Sequence, residues 1–299
     1  MSGSAIELRS LCRDFGKLHA VRNLSLTIPK GSTLGMLGVN GAGKSTTLRM
    51  LMGLLRPHAG EVIVLGQDMF RHRADLCARV GYVPEHATVY RWMTVKQVLR
   101  FCSRIQPKWD EPTAQKLLGL FRLDSSQRVR SLSKGMTTKL HLLLALAHRP
   151  EVLILDEPLS GLDPIVREDF VDGVLANICG HECTVLFSSH HVDDVQRLAD
   201  RVAIIHEGSV LVEAETESLL RDTRRLKVTL AEAHCHPAPP IGTIYQRQNR
   251  RLWELTVMPF NKEAATALQA ADGVTDVQSS AVSLEDLFKD LIRGQEAPQ

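Results

Sequence analysis

The chain lacks the features that mark several large classes of protein. Its longest apolar run, LLLALA from Leu142 to Ala147, is far short of the ~20 residues needed to cross a bilayer. If the protein serves a membrane process, another chain has to do the spanning. The opening residues MSGSAIELRS contain no basic stretch followed by an apolar one, so no secretory signal is expected. The 6 cysteines, at positions 12, 77, 102, 179, 183 and 235, form no C-x-x-C pair. Reduced thiols in a cytosolic protein are therefore the expectation. Lys and Arg total 36 against 34 Asp and Glu, a net charge of +2. So small an excess leaves no electrostatic footprint for nucleic acid or an anionic membrane surface. What remains is ordinary globular composition, 44% hydrophobic and 23% charged over 299 residues, enough for one large or two modest domains.

The most informative stretch is GVNGAGKS over residues 38–45, which fits the phosphate-binding loop pattern G-x-x-x-x-G-K-[ST]. An apolar segment ending at Leu37 precedes it and reads as a buried strand. Residues Thr46 to Leu55 follow with helical apolar spacing. Gly38, Gly41 and Gly43 let the backbone curl around an anion where a Cβ would obstruct it. Asn40 and Ala42 complete the loop, and the helix opening near Thr46 adds the positive end of its dipole. Lys44 can reach the β- and γ-phosphates, and the Ser45 hydroxyl can ligate Mg²⁺. The glycine spacing excludes the dinucleotide pattern G-x-G-x-x-G. The expected ligand is a nucleoside triphosphate.

Around this loop, Ala5 to Pro29 reads as two strands separated by residues 13–17, and Glu61 to Leu65 and Val80 to Pro84 as further strands. Thr94 with Gln97 is a helix-start signature for a mostly helical stretch to Arg122, interrupted near Pro107 to Asp110. Ser133 to His148 reads as a buried helix stopped by Pro150. The continuous apolar runs Glu151 to Leu155 and Thr184 to Phe187 suit central parallel strands, with a helix from Ile165 to Ile178 between them. Alternating strands and helices predict an α/β fold with a parallel core sheet. Beyond Glu215 the character changes. Strands at Leu226 to Glu232, Arg251 to Met258 and Gly273 to Val277, a helix at Asn261 to Ala271 and a last helix from Ser283 make a small α+β appendage. The expected division is 1–222 and 223–299, with a helical subdomain at about 86–148.

The strand VLIL over 152–155 runs into Asp156 and Glu157. Strand alternation would send these carboxylates to opposite sides, Asp156 to Mg²⁺ and Glu157 to the attacking water as base. LSKGM over 132–136 opens the buried helix with Ser133 as its cap.

Taken together, these motifs resemble the ATP-binding-cassette (ABC) ATPases, over about Ile6 to Glu215. Leu132 to Met136 stands where that family has its signature LSGGQ. Pro158 to Pro164 is similar to its D-loop, with Asp163, and Ser188 to His190 to its switch histidine. Phe15 stands where the family stacks an aromatic on adenine, and Glu85 at its Q-loop position. The sequence departs from the family pattern in three places: Glu85 replaces Gln, Lys134 replaces Gly, and Met136 replaces Gln. Ser133 and Gly135, whose hydroxyl and N–H would meet phosphate, are kept. Glu85 could bind Mg²⁺ directly while adding negative charge near the γ-phosphate. These variants, with SLEDLF over 283–288, are similar to the branch whose ATPases pair with separately encoded ABC-2-type permeases in drug, antibiotic-resistance and lipid or polymer export.

The resemblance implies an antiparallel N-terminal subdomain, ATP and Mg²⁺ as ligands, and an ATPase that powers transport through a polytopic membrane permease. It also implies a dimer with a second copy or a homologous ATPase, in which Ser133, Gly135 and Asp163 act across to the other subunit's ATP. His190 would touch the γ-phosphate, residues 86–129 would meet the permease, and the chain would sit on the cytoplasmic face of the membrane. The alternative is a soluble ABC-type ATPase without a permease, which the absence of a long coiled coil and a second cassette disfavours. His234, Cys235 and His236 offer no second ligand pair at zinc-finger spacing and read as a polar loop.

Overall fold

The computed structural model describes residues 3–86, 89–160, 183–234 and 237–296. The helix expected at Ile165 to Ile178 and the candidate residue Asp163 lie outside them, as do Cys235 and His236. The chain divides into two compact units, Met1–Glu213 and Ala214–Gln299.

The first unit is built on two sheets. β1 (Ser4–Phe15), β2 (Leu18–Pro29), β4 (Ala59–Val64) and β5 (Gln67–Asp68) form a four-stranded sheet in the order β2-β1-β4-β5, with each neighbouring pair antiparallel. The β1–β2 connection is only Gly16 and Lys17, with Gly16 at φ 60. Arg13, Asp14 and Phe15 therefore belong to the strand, not to the loop expected over 13–17, because a left-handed glycine lets two residues close the hairpin. The second sheet has six strands in the order β10-β9-β3-β8-β7-β6. Its members are β3 (Thr33–Leu37), β6 (Val80–Val83), β7 (Val152–Leu155), β8 (Thr184–Ser189), β9 (Arg201–His206) and β10 (Ser209–Glu215). From β9 across β3, β8 and β7 to β6 the pairing is parallel. β7 and β8 are buried at every position, as central parallel strands covered on both faces must be. β9 and β10 were not expected from the sequence. They join through Glu207 and Gly208, both at positive φ, a tight two-residue turn.

α1 (Lys44–Leu51) follows the glycine loop after β3. Its Leu48 and Leu51 pack into one core with Leu8 and Leu26 of the antiparallel sheet and Met36, Ile154 and Leu186 of the parallel one. α2 (Arg73–Cys77) precedes β6. The helical stretch divides into α3 (Val95–Ile105) and α4 (Glu111–Leu120). α3 opens with the expected reciprocal cap between Thr94 and Gln97. Asp110 caps α4 by accepting from Thr113 N–H at 2.9 Å, so the interruption near Pro107 is a cap-to-cap junction. α5 (Lys134–Leu146) starts on Ser133, which accepts from Met136 N–H at 3.2 Å. α6 (Val192–Leu198) follows β8.

The second unit opens with α7 (Thr216–Arg221) and forms an antiparallel sheet in the order β12-β13-β11-β14. Its strands are β11 (Arg224–Leu230), β12 (Thr243–Asn249), β13 (Leu252–Val257) and β14 (Val274–Ala281). Alternate residues of β11 and β13 (Leu226, Val228, Leu230; Trp253, Leu255, Val257) face α8 (Lys262–Gln269) through Leu268. From the last helix, α9 (Leu284–Glu296), buried Asp290 accepts from Thr256 Oγ1 at 2.6 Å and from Arg225. β12 is mostly exposed and carries no alternating apolar signal, so no strand is expected there from the sequence.

Close packing of α5 on β6 hinges on Gly81, where an added Cβ would stand 2.4 Å from the Ala145 carbonyl oxygen. We expect Gly81→Ala to cost about 1–3 kcal/mol by overpacking. Urea unfolding measures this, and an unchanged midpoint would mean that α5 can move away without cost.

Candidate functional site

The carboxyl ends of β3, β7 and β8 point to the same edge of the parallel sheet, the edge where open α/β sheets bind ligands. From this edge opens a cleft of about 520 Å³. Of the residues singled out from the sequence, Phe15, Asn40, Gly41, Ala42, Gly43, Lys44, Ser45, Thr46, Glu85, Glu157 and His190 all line it. The loop closes on Gly43 at φ 103, where a Cβ would stand 2.4 Å from the Ala20 carbonyl oxygen. No L side chain fits there.

Lys44 is only 5% exposed. Its ammonium donates to the Gly38 carbonyl at 2.7 Å and the Val39 carbonyl at 3.3 Å, and lies 3.2 Å from Glu157 Oε1. Glu157 Oε2 is 2.8 Å from His190 Nδ1. Lysine, carboxylate and imidazole thus form one line through the cleft. A buried pair of this kind adds little stability, but removing one member strands the other's charge.

Asp156 and Glu157 lie past the end of β7, so strand alternation does not separate them. Glu157 instead adopts φ 49, a left-handed conformation that costs of order 1–3 kcal/mol in a non-glycine residue. That turn keeps both carboxylates at this edge, Asp156 toward Ser45 and Glu157 toward Lys44, and Ser188 at the end of β8 fixes it. The Ser188 hydroxyl donates to Asp156 Oδ1 at 2.7 Å and accepts from Glu157 N–H at 2.9 Å. In the sequence Ser188 only opens the stretch that resembles the switch-histidine motif, with no role for its own hydroxyl. Its one available signal is its place just before the Ser189–His190 pair on a continuous apolar run.

The same Asp156 oxygen accepts from Ser45 Oγ at 3.0 Å. Among the described residues Asp156 has no lysine, arginine or histidine within ion-pair distance, although it is only 2% exposed. Burial raises its pKa, and the nearby Glu85 and Glu157 charges raise it further against the two hydroxyl hydrogen bonds. A buried carboxylate and a hydroxyl without a countercation suit a small hard cation, since Mg²⁺ takes one or two carboxylates with the remaining positions left to substrate and water.

Phe15 stands at the rim, 45% exposed. Ser133 is exposed and Gly135 half-buried at the start of α5, and neither lines the cleft that holds Lys44. Next to that cleft is a second one of about 370 Å³, lined by Glu85, Lys134, His141, Asp156 and Glu157 among others. Burial pushes the His141 imidazole down to about 4, so it is neutral there. No motif in the sequence points to it.

The fold and this cleft define a P-loop nucleotide-binding ATPase of the α/β class. The ABC transporter family profile matches residues 21–160. The chain is 31% identical to the uncharacterized ABC transporter ATP-binding protein YxlF of Bacillus subtilis, over 95% of this chain and 98% of that one. It is 33% identical to the Nod factor export ATP-binding protein I of Bradyrhizobium diazoefficiens, over 74% of this chain and 73% of that one. A solved ATP-binding subunit of an ABC transporter superposes with a TM-score of 0.65 at 25% identity, covering 73% of this chain and 92% of that structure. The chain belongs to the ABC transporter ATP-binding proteins. It is a transporter's ATP-binding subunit, an ATPase coupled to transport. Among the described residues no helix is long and apolar enough to cross a membrane.

Because burial raises the Asp156 pKa, its folded form holds a proton more tightly than the unfolded chain does. Its charge therefore lowers stability as pH rises from the ordinary carboxylate value of 3.8 through the raised one. We expect Asp156→Asn to melt higher than the unsubstituted protein at neutral pH without nucleotide, by roughly 2–4 °C for each kcal/mol relieved. The difference should close below the ordinary carboxylate pKa. Scanning calorimetry across pH measures it, and a lower melting point at neutral pH would show that Asp156 is not held at a cost.

Proposed function

We propose that this ATPase works as one of two nucleotide-binding subunits beneath a separately encoded polytopic permease, on the cytoplasmic face of the membrane, and drives export. The observation that carries this reading is the line Lys44–Glu157–His190 within one cleft. Export is supported by similarity to a Nod factor export subunit.

In this reading the loop N–H groups and Lys44 hold the β- and γ-phosphates, with Lys44 exchanging the Gly38 and Val39 carbonyls for phosphate oxygens. Phe15 receives the adenine. Ser45 and Asp156, with Glu85 beside them, would hold Mg²⁺, which when bound neutralises the developing phosphate charge. Glu157 accepts the proton of the attacking water, and water oxygen joins the γ-phosphorus as the bond to ADP breaks. His190 orients Glu157 through its Nδ1 contact and meets the γ-phosphate on its other side. Ser133 and Gly135, at an exposed helix start outside this cleft, serve the γ-phosphate of the partner subunit. Asp163 links the two sites.

Glu157→Gln removes the base and keeps the shape, so we expect a stable ATP-bound dimer with Mg²⁺ and turnover reduced at least about a hundredfold. Sedimentation or light scattering with saturating ATP reads it. A protein that stays monomeric overturns the reading of two subunits joined across ATP.

The permease surface is proposed on the helical subdomain. Tyr90 and Trp92 have ring centroids 5.9 Å apart, and Phe101 meets Tyr90 edge-on at 6.0 Å. Tyr90 is 55% and Trp92 64% exposed. Large aromatics clustered in the open mark an interaction surface. Purified from its host in mild detergent, the protein is expected to bring a polytopic membrane protein with it. The double variant Tyr90→Ala, Trp92→Ala should lose that partner while still binding ATP. Retention of the partner by the double variant would move the interface elsewhere.

A further inference from the structure

We propose that Arg13 is a positioning residue for the nucleotide base. It backs one face of the Phe15 ring and ties that ring to the segment leading out of α1, leaving the opposite face to the base. The inference rests on the reading of Phe15 as the base platform.

Arg13 and Phe15 are two residues apart on β1 and so share a side of the strand. The guanidinium carbon stands 5.0 Å from the Phe15 ring centroid, within the range of attraction between a cation and an aromatic face. Arg13 Nη1 donates to the Arg56 carbonyl at 3.0 Å. Arg13 Nε is buried without a hydrogen-bond partner among the described residues. A partly desolvated guanidinium holds an aromatic face more strongly than a hydrated one, and its planar fork can stack and donate at once.

The other end of this link is the phosphate loop's own helix. α1 runs from Lys44, and the carbonyl of Arg49 in its last turn accepts from the N–H groups of Leu54 and Leu55 at 2.9 and 3.2 Å. The chain then reaches Arg56 directly. Strand contacts on either side hold the same junction. His58 N–H donates to the Cys12 carbonyl at 2.8 Å, and Asp14 N–H donates to His58 Nδ1 at 3.3 Å. Asp14 Oδ1 lies 2.6 Å from His19 Nδ1 across the hairpin. The backbone would keep the hairpin in place without Arg13, but the ring would lose its backing. Arg13 therefore sets the angle and mobility of the Phe15 ring relative to the phosphate loop, and with it the share of affinity that comes from the base.

The test separates base from phosphate. Binding of ATP and of inorganic tripolyphosphate is measured by calorimetry on the full-length protein and on Phe15→Ala, Arg13→Ala, Arg13→Gln and Arg13→Lys. Arg13→Ala is expected to weaken ATP binding roughly three- to tenfold and to leave tripolyphosphate binding unchanged. Arg13→Gln keeps a donor for the Arg56 carbonyl and drops the charge, so it carries the test if the alanine variant does not fold, with the same selective loss expected. Arg13→Lys should fall between. If Phe15→Ala weakens ATP selectively while Arg13→Gln binds ATP as tightly as the unsubstituted protein, the Arg13 inference is overturned and the Phe15 reading stands. Equal loss for both ligands in the Arg13 variants would also overturn it, as damage to the loop. If Phe15→Ala has no selective effect, the base-platform reading fails, and the Arg13 inference with it.

Discussion

Lys44 has to be kept charged and nearly dry at the floor of a cleft, and the surrounding structure follows from that. A buried ammonium needs close oxygen partners. Two carbonyls of its own loop and Glu157 Oε1 provide them. The carbonyls can be aimed inward only if the loop coils tightly, which demands glycine at position 43. The loop can be anchored only by a strand on one side and a helix on the other. Glu157 can arrive only if β7 ends at the same edge as β3, which the parallel order β3-β8-β7 ensures.

The same constraint explains the strain at Glu157. A strand continuing straight would place Asp156 and Glu157 on opposite faces of the sheet, and one carboxylate would miss the cleft. Turning left-handed at Glu157 brings both to the ligand edge, one toward Ser45 and the other toward Lys44. Ser188 makes this tolerable by serving both residues at once, as donor to the Asp156 carboxylate and acceptor for the Glu157 amide. One hydroxyl thus satisfies a buried carboxylate and a buried N–H that would otherwise be costly. Backbone strain held by a neighbouring strand is a common mark of a working site.

What the sequence made legible were features with a one-dimensional signature. Glycine spacing, continuous apolar runs and the Ser133 and Thr94 caps all depend on neighbours within a few residues. They located the phosphate loop, the central strands and the helix starts. What it hid depends on pairing across the chain. β12 has a polar, exposed pattern and is a strand only because β13 offers it a hydrogen-bonding edge. Ser188 becomes meaningful only when β8 lies beside β7. The Arg13–Phe15 contact became visible once the hairpin closed in two residues, extending β1 through positions assigned to a loop. Strand alternation predicts Asp156 and Glu157 on opposite sides, whereas β7 ends at Leu155 and a left-handed turn at Glu157 brings both to one edge.

The cleft is unequal at its two ends, and that asymmetry bears on how it holds a ligand. At the phosphate end, Lys44 is nearly buried, and its ammonium already rests on the Gly38 and Val39 carbonyls and beside Glu157. Binding there exchanges one set of short contacts for another, so recognition depends on matching charge and geometry closely. At the end proposed for the base, Phe15 is half open to solvent beside the exposed Leu18. Stacking is tolerant of which base is stacked. On the proposed reading, discrimination by this chain lies with the triphosphate, while the base adds affinity in proportion to how firmly the Phe15 ring is held. Such a division suits an ATPase whose work is set by making and breaking contacts to the γ-phosphate, the one part of the ligand that changes on hydrolysis.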